Sequence, residues 1–420
     1  MRSAWSRAKT SSPSDHPGNE NKESVVTNSA DIDIAPTRSV AGPPRLVRAA
    51  VSMPDMTTTV RQLDTDAAVG AVGWLEVESS AVCGTDVGLY RAGLDSPTVL
   101  GHHVVGTVVS LDETQSTAWR VRPGDRVALE EYLPCLRADC PACRIGDYRM
   151  CPHTDLFAGK RRVGLLSADD GAGLHGGNAE YMQLSANSLV YRLPADLDAD
   201  LAAWTQPFAN ALDWTVDAGG AKEGSTVVVI GPGYHGIAAV AAARAVGAAR
   251  IVVIGVPQSA GRLEIAESLG AVPVINNNHS LPELILRATG AEGADVLLDT
   301  VGLGGEAVAT AARVLRKRGR LVIGGLGSTP VCELDLKSLV RGANTIVGVR
   351  GRSPDAVARS IEFLADGRSG LEIVPSVDVD LDQVDDMLGR MATGLGPVSP
   401  HVVIRPQLRR PTDQKRGTLS

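Results

Sequence analysis

Four of the chain's six cysteines, Cys135, Cys140, Cys143 and Cys151, fall within one short run. Thiolates at C-x4-C-x2-C-x7-C spacing can close a tetrahedral shell around zinc and leave no position open for substrate. Pro141, Gly146 and Pro152 suit the tight turns that such a lobe needs. Two disulfides or four unrelated thiols are the alternatives. Nothing in the sequence points to an oxidising compartment, so the spacing favours zinc. A closed shell of this kind fixes a fold and performs no reaction itself.

At 420 residues, 44% of them hydrophobic, the chain can bury more than one core, which predicts two domains. A net charge of -7 with mixed signs, and no Lys/Arg block, argues against nucleic acid as a partner. No apolar run reaches membrane-spanning length, and Met1-Arg2-Ser3-Ala4-Trp5 leads into polar residues rather than a signal-peptide core. The cytoplasm, with reduced thiols, is the expected compartment. Residues 11 to 44 are dense in Ser, Asn, Pro, Asp and Thr without any period. They cannot bury enough surface to offset ordering entropy, so 1–44 is expected to be a disordered tail, and 407–420 a short flexible one.

From Leu46 the pattern turns to short Val- and Ala-rich strands punctuated by Gly and Pro, such as 104–109 and 126–129. This texture predicts a mainly β domain over 45–200 that carries the cysteine lobe. Beyond Leu201, strands alternate with helices. Thr226 to Ile230 is a continuous apolar run, as a strand buried on both faces should be. Further strands are expected over 250–254, 294–299 and 320–323, with helices over 237–246, 262–269 and 306–315. The alternation predicts a doubly wound parallel sheet over 201–345, giving an α/β protein.

Gly231-Pro-Gly233-Tyr234-His235-Gly236 follows that buried strand and opens a helix. A lone G-x-G-x-x-G is weak evidence, but in this setting glycine permits a tight turn and close approach of a pyrophosphate to backbone N–H groups. Gly231, Gly233, Tyr234, His235 and Gly236 are expected beside the cofactor, His235 as an exposed helix-start residue. The acidic residue that usually ends the next strand, to hold the ribose hydroxyls, is absent, because Ile254 is followed by Gly255-Val256-Pro257. Without it a 2′-phosphate is not repelled. Arg262 can help to bind that phosphate or be an ordinary first-turn residue, which leaves NAD or NADP open.

Cys83-Gly-Thr85-Asp86 and Gly101-His102-His103 bring a thiol, a hydroxyl and two imidazoles. Taken singly, such residues are most often structural. Together they supply the three protein ligands of an open catalytic zinc.

With these motifs in order, the chain resembles the zinc-dependent medium-chain alcohol dehydrogenases, in the polyol and threonine dehydrogenase branch. The residues that carry the likeness are Cys83 to Asp86, Gly101 to His103 with Gly106, Pro123-Gly-Asp-Arg-Val127, the cysteine lobe, Gln206-Pro207 and the Gly231 to Gly236 turn. They span about 46–405. The resemblance implies a GroES-like catalytic domain, 45–200 and 346–406, with the nucleotide-binding domain inserted. It further implies zinc held by Cys83 and His102, a second zinc in the four-thiol shell, and a cleft between the domains as the active site. Thr85 would take the alcohol's proton and relay it through the cofactor ribose while hydride passes to the nicotinamide. A homo-oligomer, dimer or tetramer, is expected, acting on a small alcohol or ketone.

Departures from the family pattern define the questions. His103 stands where the family usually has Glu, Gln206 where some members have an acid, and Gly88 where many have a proton-relaying histidine. His103, Gln206 or water is the expected third ligand. A zinc-free quinone or enoyl reductase, or a non-catalytic homologue that has lost its catalytic metal, are the rival readings.

Overall fold

The computed structural model of the protein describes residues 42–156, 158, 161–327 and 331–408. The expected N-terminal tail lies outside these residues up to position 41, and the expected C-terminal tail beyond position 408.

The chain first builds antiparallel structure. Leu46–Ser52 pairs with Thr58–Asp64 and with Thr98–Val99 in a small sheet. A seven-stranded sheet grows around Ala71–Ala81, which pairs with His103–Leu111 on one side and Tyr181–Ser185 on the other. Leu75, Val77, Val104, Val108 and Val127 fill its core, and every one of them is sealed from solvent. Each such side chain contributes roughly 1.5–3 kcal/mol on burial. His401–Ile404 pairs with the end of Ala71–Ala81, so the last described strand returns to the sheet that the first part opened.

Thr226–Ile230 is buried throughout and lies in the middle of a six-stranded parallel sheet. The spatial order is Val272–Ile275, Arg250–Gly255, Thr226–Ile230, Ala294–Asp299, Leu315–Ile323, Thr345–Gly348. Counted in chain order this is 3-2-1-4-5-6, and the reversal beside Thr226–Ile230 opens a crevice at the carboxyl ends of the strands. Val227 and Val229 pack on Ile237 and Val240, while Val228 and Ile230 pack on Leu281 and Ile285. Both faces are therefore covered, as the unbroken apolar run requires.

Two boundaries differ from the sequence expectation. The helix expected to include Leu315 ends at Val314, and Leu315 already opens the next strand. A register shift, with Arg318 at φ 65°, lets Leu315 and Arg320 both pair with Ala294–Asp299. The parallel sheet also takes in Thr345–Gly348, and so runs past position 345.

One element carries no strong sequence signal. The helix Thr205–Ala211, buried along its whole length, continues into a wider π-helical turn over Leu212–Ala218. Such turns are rare and concentrate at functional sites. Here the segment delivers Gln206, Asn210, Asp213 and Trp214 to the cleft region.

Candidate active site

Strand register assembles the first cluster. Ala81 lies directly across from His103, and Cys83 follows two residues later at the N-terminus of the helix Gly84–Ala92. His102 precedes the strand, where Gly101 at φ 95° turns the chain. Strand alternation therefore does not separate the two imidazoles, whose ring centroids stand 4.4 Å apart. Ligand atoms of Cys83, His102 and His103 lie within 4.8 Å of one another, and all three residues are buried. Thr85 Oγ1 is 3.8 Å from Cys83 Sγ.

Asp86 supports the cluster. Its Oδ1 lies 3.0 Å from Nδ1 of His102, and its Oδ2 accepts a bond from the backbone N–H of Cys83 at 2.9 Å. With Nδ1 engaged, Nε2 of His102 is left to face a metal. Burial opposes a charge on His102, yet Asp86 and Cys83 outweigh it and raise its pKa well above the ordinary value. Burial, then the neighbouring His102 and Arg352, push His103 well below its usual range, so it is neutral. Nδ1 of His103 is buried with no partner among the described residues, a state that costs about 1–3 kcal/mol unless something completes it. A thiol and two imidazoles around an orphaned nitrogen fit an open zinc site. Gln206 Nε2 donates to the carbonyls of Leu129 and Val104, while its Oε1 is buried with no partner among the described residues.

The cysteine lobe passes a similar test. Ligand atoms of Cys135, Cys140, Cys143 and Cys151 lie within 4.8 Å of one another. Sγ of Cys135 stands 3.7 Å from Sγ of Cys143, far longer than a disulfide and close to the edge, about 3.8 Å, of a tetrahedron with zinc–sulfur bonds of about 2.3 Å. The lobe is fastened to the rest of the molecule. Arg149 Nη1 donates to Asp213 Oδ1 at 2.8 Å, while Asp213 Oδ2 accepts from the backbone of Ser353 at 2.8 Å. Arg350 reaches the carbonyl of Thr154 at 3.1 Å and Asp155 at 3.0 Å.

The glycine turn forms the facing wall. Gly231 has φ 99°, and a Cβ there would stand 2.3 Å from Val301 Cγ1. Gly233 meets nothing within 4 Å, so open space lies where a pyrophosphate would approach the backbone. A Cβ at Gly236 would collide with the carbonyl of Gly231 at 1.8 Å. Gly255 is packed against Ser259 Oγ, 2.4 Å from where its Cβ would be. A larger residue there would require the Ser259 hydroxyl to turn away.

Three side chains of this region are placed differently from the sequence expectation. Tyr234 turns inward onto Trp204, at 4.7 Å between ring centroids, because its helix phase faces the core. His235 is not an exposed helix-start residue. It is half-buried, lines the cleft, and is stacked on Trp214 at 5.0 Å. Burial, then the charge on Arg352, lowers its pKa to about 4, so it is neutral. Arg262 is not a free cation at the ribose site. Its Nε donates to the carbonyl of Val398 at 3.1 Å and its Nη2 to that of Pro397 at 3.3 Å.

Between the two walls lies a cleft of about 250 Å³ that touches Cys83, Thr85, His102, His103, His235 and Trp214. Sequence reasoning missed the charged network beneath it. Arg352 pairs with Glu130 and donates to Asn210 Oδ1 at 3.1 Å, while Arg162 pairs with Glu131 at 2.9 Å. Despite burial, Arg352, His102 and Arg162 hold Glu131 down to about 2, so it is a carboxylate. Glu130 and Arg352 are 222 residues apart in sequence, and no local pattern could have joined them.

Two family models match the chain: the alcohol dehydrogenase GroES-like domain over residues 74–195 and the zinc-binding dehydrogenase over 236–366. A probable alcohol dehydrogenase of Mycobacterium tuberculosis is 32% identical over 340 residues, which cover 79% of this chain and 91% of that protein. The chain belongs to the zinc-dependent medium-chain alcohol dehydrogenases. Within them it sits in the polyol and threonine dehydrogenase branch: the L-threonine 3-dehydrogenase of Bacillus velezensis is 30% identical, covering 74% of this chain and 85% of that one. The fold agrees. An alcohol dehydrogenase from Thermus sp. ATN1 superposes with a TM-score of 0.71 at 24% identity, over 85% of this chain and 99% of that one. The protein is therefore a zinc-using, NAD(P)-dependent alcohol dehydrogenase.

Proposed function

We propose that this dehydrogenase oxidises a small secondary alcohol carrying a second polar group, of the polyol or amino-alcohol kind, and reduces the matching ketone. The convergence of Cys83, His102 and His103 at a cleft whose opposite wall is the glycine turn carries this reading. Relatives named erythritol/L-threitol dehydrogenase, L-threonine 3-dehydrogenase and sorbitol dehydrogenase support the substrate class.

Cys83, His102 and His103 would hold the catalytic zinc, and the four lobe cysteines the structural one. When bound, zinc supplies a Lewis acid that lowers the pKa of an alcohol, and the nicotinamide accepts the hydride. The chain's own residues do the rest. Asp86 keeps His102 in the tautomer and orientation that a ligand needs. Thr85 Oγ1, beside Cys83, would accept the alcohol's proton as it passes its own on toward the cofactor ribose. Gly231 and Gly236 permit the tight turn and Gly233 leaves open space, so this turn would hold the dinucleotide, with Gly255 and Arg262 as further residues near its ribose. The catalytic domain would comprise 45–200 and 349–406, with the nucleotide-binding domain, including the strand Thr345–Gly348, between.

Neither cofactor is excluded by charge. Relatives of known structure carry NADP in a Sinorhizobium meliloti protein and NADH in an Escherichia coli one, and we read relaxed choice with a mild lean to NAD. A homo-oligomer is supported by Leu336 and Val340, exposed and close in sequence to the strand Thr345–Gly348, whose outer edge pairs with no other strand among the described residues. No described helix is long and apolar enough to cross a membrane. The thiol chemistry of both donor sets suits a reducing compartment such as the cytoplasm.

Metal analysis combined with a cofactor-reduction screen over alcohols tests the reading. Two zinc ions per chain and NAD(P)H formed from polyols or amino-alcohols are expected. One zinc or none in freshly purified protein would sink the two-site assignment. Turnover of quinones alone would favour the zinc-free reductase.

A further inference from the structure

Glu131 has no role in the chemistry described so far, yet it lines the cleft that also touches Cys83, Thr85 and His103. Its backbone is fixed on both sides. The N–H donates to Glu130 Oε1 at 2.9 Å, and the carbonyl accepts from the N–H of Val163 at 2.8 Å. Its Oε2 accepts from Arg162 Nη1 at 2.9 Å. Arg162 is itself held, because its Nε donates to the carbonyl of Thr154 at 2.8 Å and its guanidinium lies 4.8 Å over the Tyr132 ring. Oε1 is different. Arg352 Nη1 stands 3.7 Å from it, too far for a hydrogen bond, and no other described residue donates to it. Nor is this oxygen sealed in the way that Nδ1 of His103 is, and the cleft is the space that the residue borders. A buried carboxylate needs hydrogen bonds on all its lone pairs to offset lost hydration, and one side of this one is open.

We propose that Glu131 is a specificity-determining residue: its Oε1 accepts a hydrogen bond from a second hydroxyl of the substrate, away from the carbon that reacts. The charges around it select a hydroxyl over an ammonium or a carboxylate. Glu130 is paired with Arg352, Glu131 with Arg162 and Asp155 with Arg350. With each acid matched by an arginine, an ionic group that enters gives up its hydration and meets no unmatched counter-charge. A hydroxyl gives up far less, and still gains the stronger kind of hydrogen bond, to an ionised acceptor. Of the two substrate kinds proposed above, polyols are therefore favoured over amino-alcohols. A simple secondary alcohol leaves Oε1 without a donor, and a site built around a hydrogen bond penalises the analogue that lacks it. An acceptor already held by Arg162 selects without reorganising.

This inference rests on the proposed alcohol dehydrogenase activity, and its test separates the two. Holoenzyme is assayed with erythritol, 2-butanol, 3-amino-2-butanol and 3-hydroxybutyrate. All four have four carbons, and erythritol carries a hydroxyl on each, so no spacing has to be assumed. The unaltered protein should turn over erythritol ahead of the other three. Two variants follow, Glu131→Gln and the paired change Glu131→Leu with Arg162→Met. Glutamine keeps the shape and a neutral acceptor, while the paired change removes acceptor and counter-ion together and strands no buried charge. The ratio of kcat/KM, erythritol over 2-butanol, should fall about 10-fold or more in the paired variant and by less in Glu131→Gln. Independently of turnover, infrared difference spectra of cofactor-free protein should show a carboxylate band moved by erythritol and not by 2-butanol, and absent from the paired variant. An equal loss for both alcohols, a charged analogue turned over ahead of erythritol, or a carboxylate band that erythritol leaves in place would each overturn the assignment. Turnover of 2-butanol as readily as erythritol by the unaltered protein would remove this inference alone. Turnover of no alcohol at all would remove the proposed function, and this inference with it.

Discussion

Asp86 and His102 form a sealed pair, carboxylate to imidazole at 3.0 Å, with side chains only 3% and 4% exposed. Because the same carboxylate also takes the backbone N–H of Cys83, one side chain positions two metal-binding groups. Asp86→Asn keeps the shape but loses the charge that orients His102. It should weaken zinc at the catalytic site about 10- to 100-fold while leaving the four-thiol shell filled. Competition with a chromophoric chelator, read as two separate zinc-release steps, checks this. Equal weakening of both steps would show that Asp86 acts on the fold instead.

His103 stands where relatives of this branch usually have a carboxylate. His103→Ala should lose the catalytic metal. His103→Glu should keep it, because a carboxylate is also a competent ligand. Glutamate makes the centre one unit less positive, so the ionisation that activity requires should move to higher pH. Full zinc occupancy and an unshifted pH profile in the alanine variant would remove His103 from the ligand set.

Cofactor choice should be relaxed. Gly255 carries no carboxylate to repel a 2′-phosphate, and Arg262 is bound to the carbonyls of Pro397 and Val398. The ratio of kcat/KM for NAD and NADP should therefore stay within about 100-fold, which is roughly 2.7 kcal/mol. Arg262→Ala should change both cofactors in the same direction, since it loosens the contact between its helix and the 397–398 loop. A selective loss of NADP would mean that Arg262 leaves those carbonyls to meet the 2′-phosphate.

His401 should make the fold sensitive to acid. It is fully buried, stacked on Trp204 at 4.3 Å, and burial drives its pKa down to about 3. In the unfolded chain it titrates near 6.5, so between about pH 6.5 and 3 the unfolded state binds the extra proton. Stability is whole above 6.5 and drains away as the pH falls through this window, by about 3 kcal/mol at pH 4. His401→Phe keeps the stacking and removes the proton site. Urea unfolding at pH 7 and pH 4 should show a smaller loss for the variant, and parallel losses would place the acid sensitivity elsewhere.

What could be read from the sequence follows how local each signal is. The strand Thr226–Ile230, the cysteine spacing and the glycine turn all announce themselves within a few residues, and the structure places each as its local pattern requires. The sequence leaves His103, Gln206 or water as the third ligand, and the pairing of Ala81 with His103 brings the imidazole beside Cys83. The helix phase that sends Tyr234 inward and His235 to the cleft depends on Trp204 and Trp214, which arrive from an earlier segment. Glu130, Asn210 and Arg352 meet only after the whole chain has folded, so no spacing could announce them.

Arg149 lies two residues before Cys151, and through Asp213 it braces the backbone at Ser353, next to Arg352. The lobe that does no chemistry is therefore the foundation on which the reacting floor is laid. Loosening the lobe would be expected to free Arg149 and, through Asp213 and Ser353, to unsettle Arg352. In a cell starved of zinc, such an enzyme would fail from the foundation upward, losing activity while its catalytic residues were still intact.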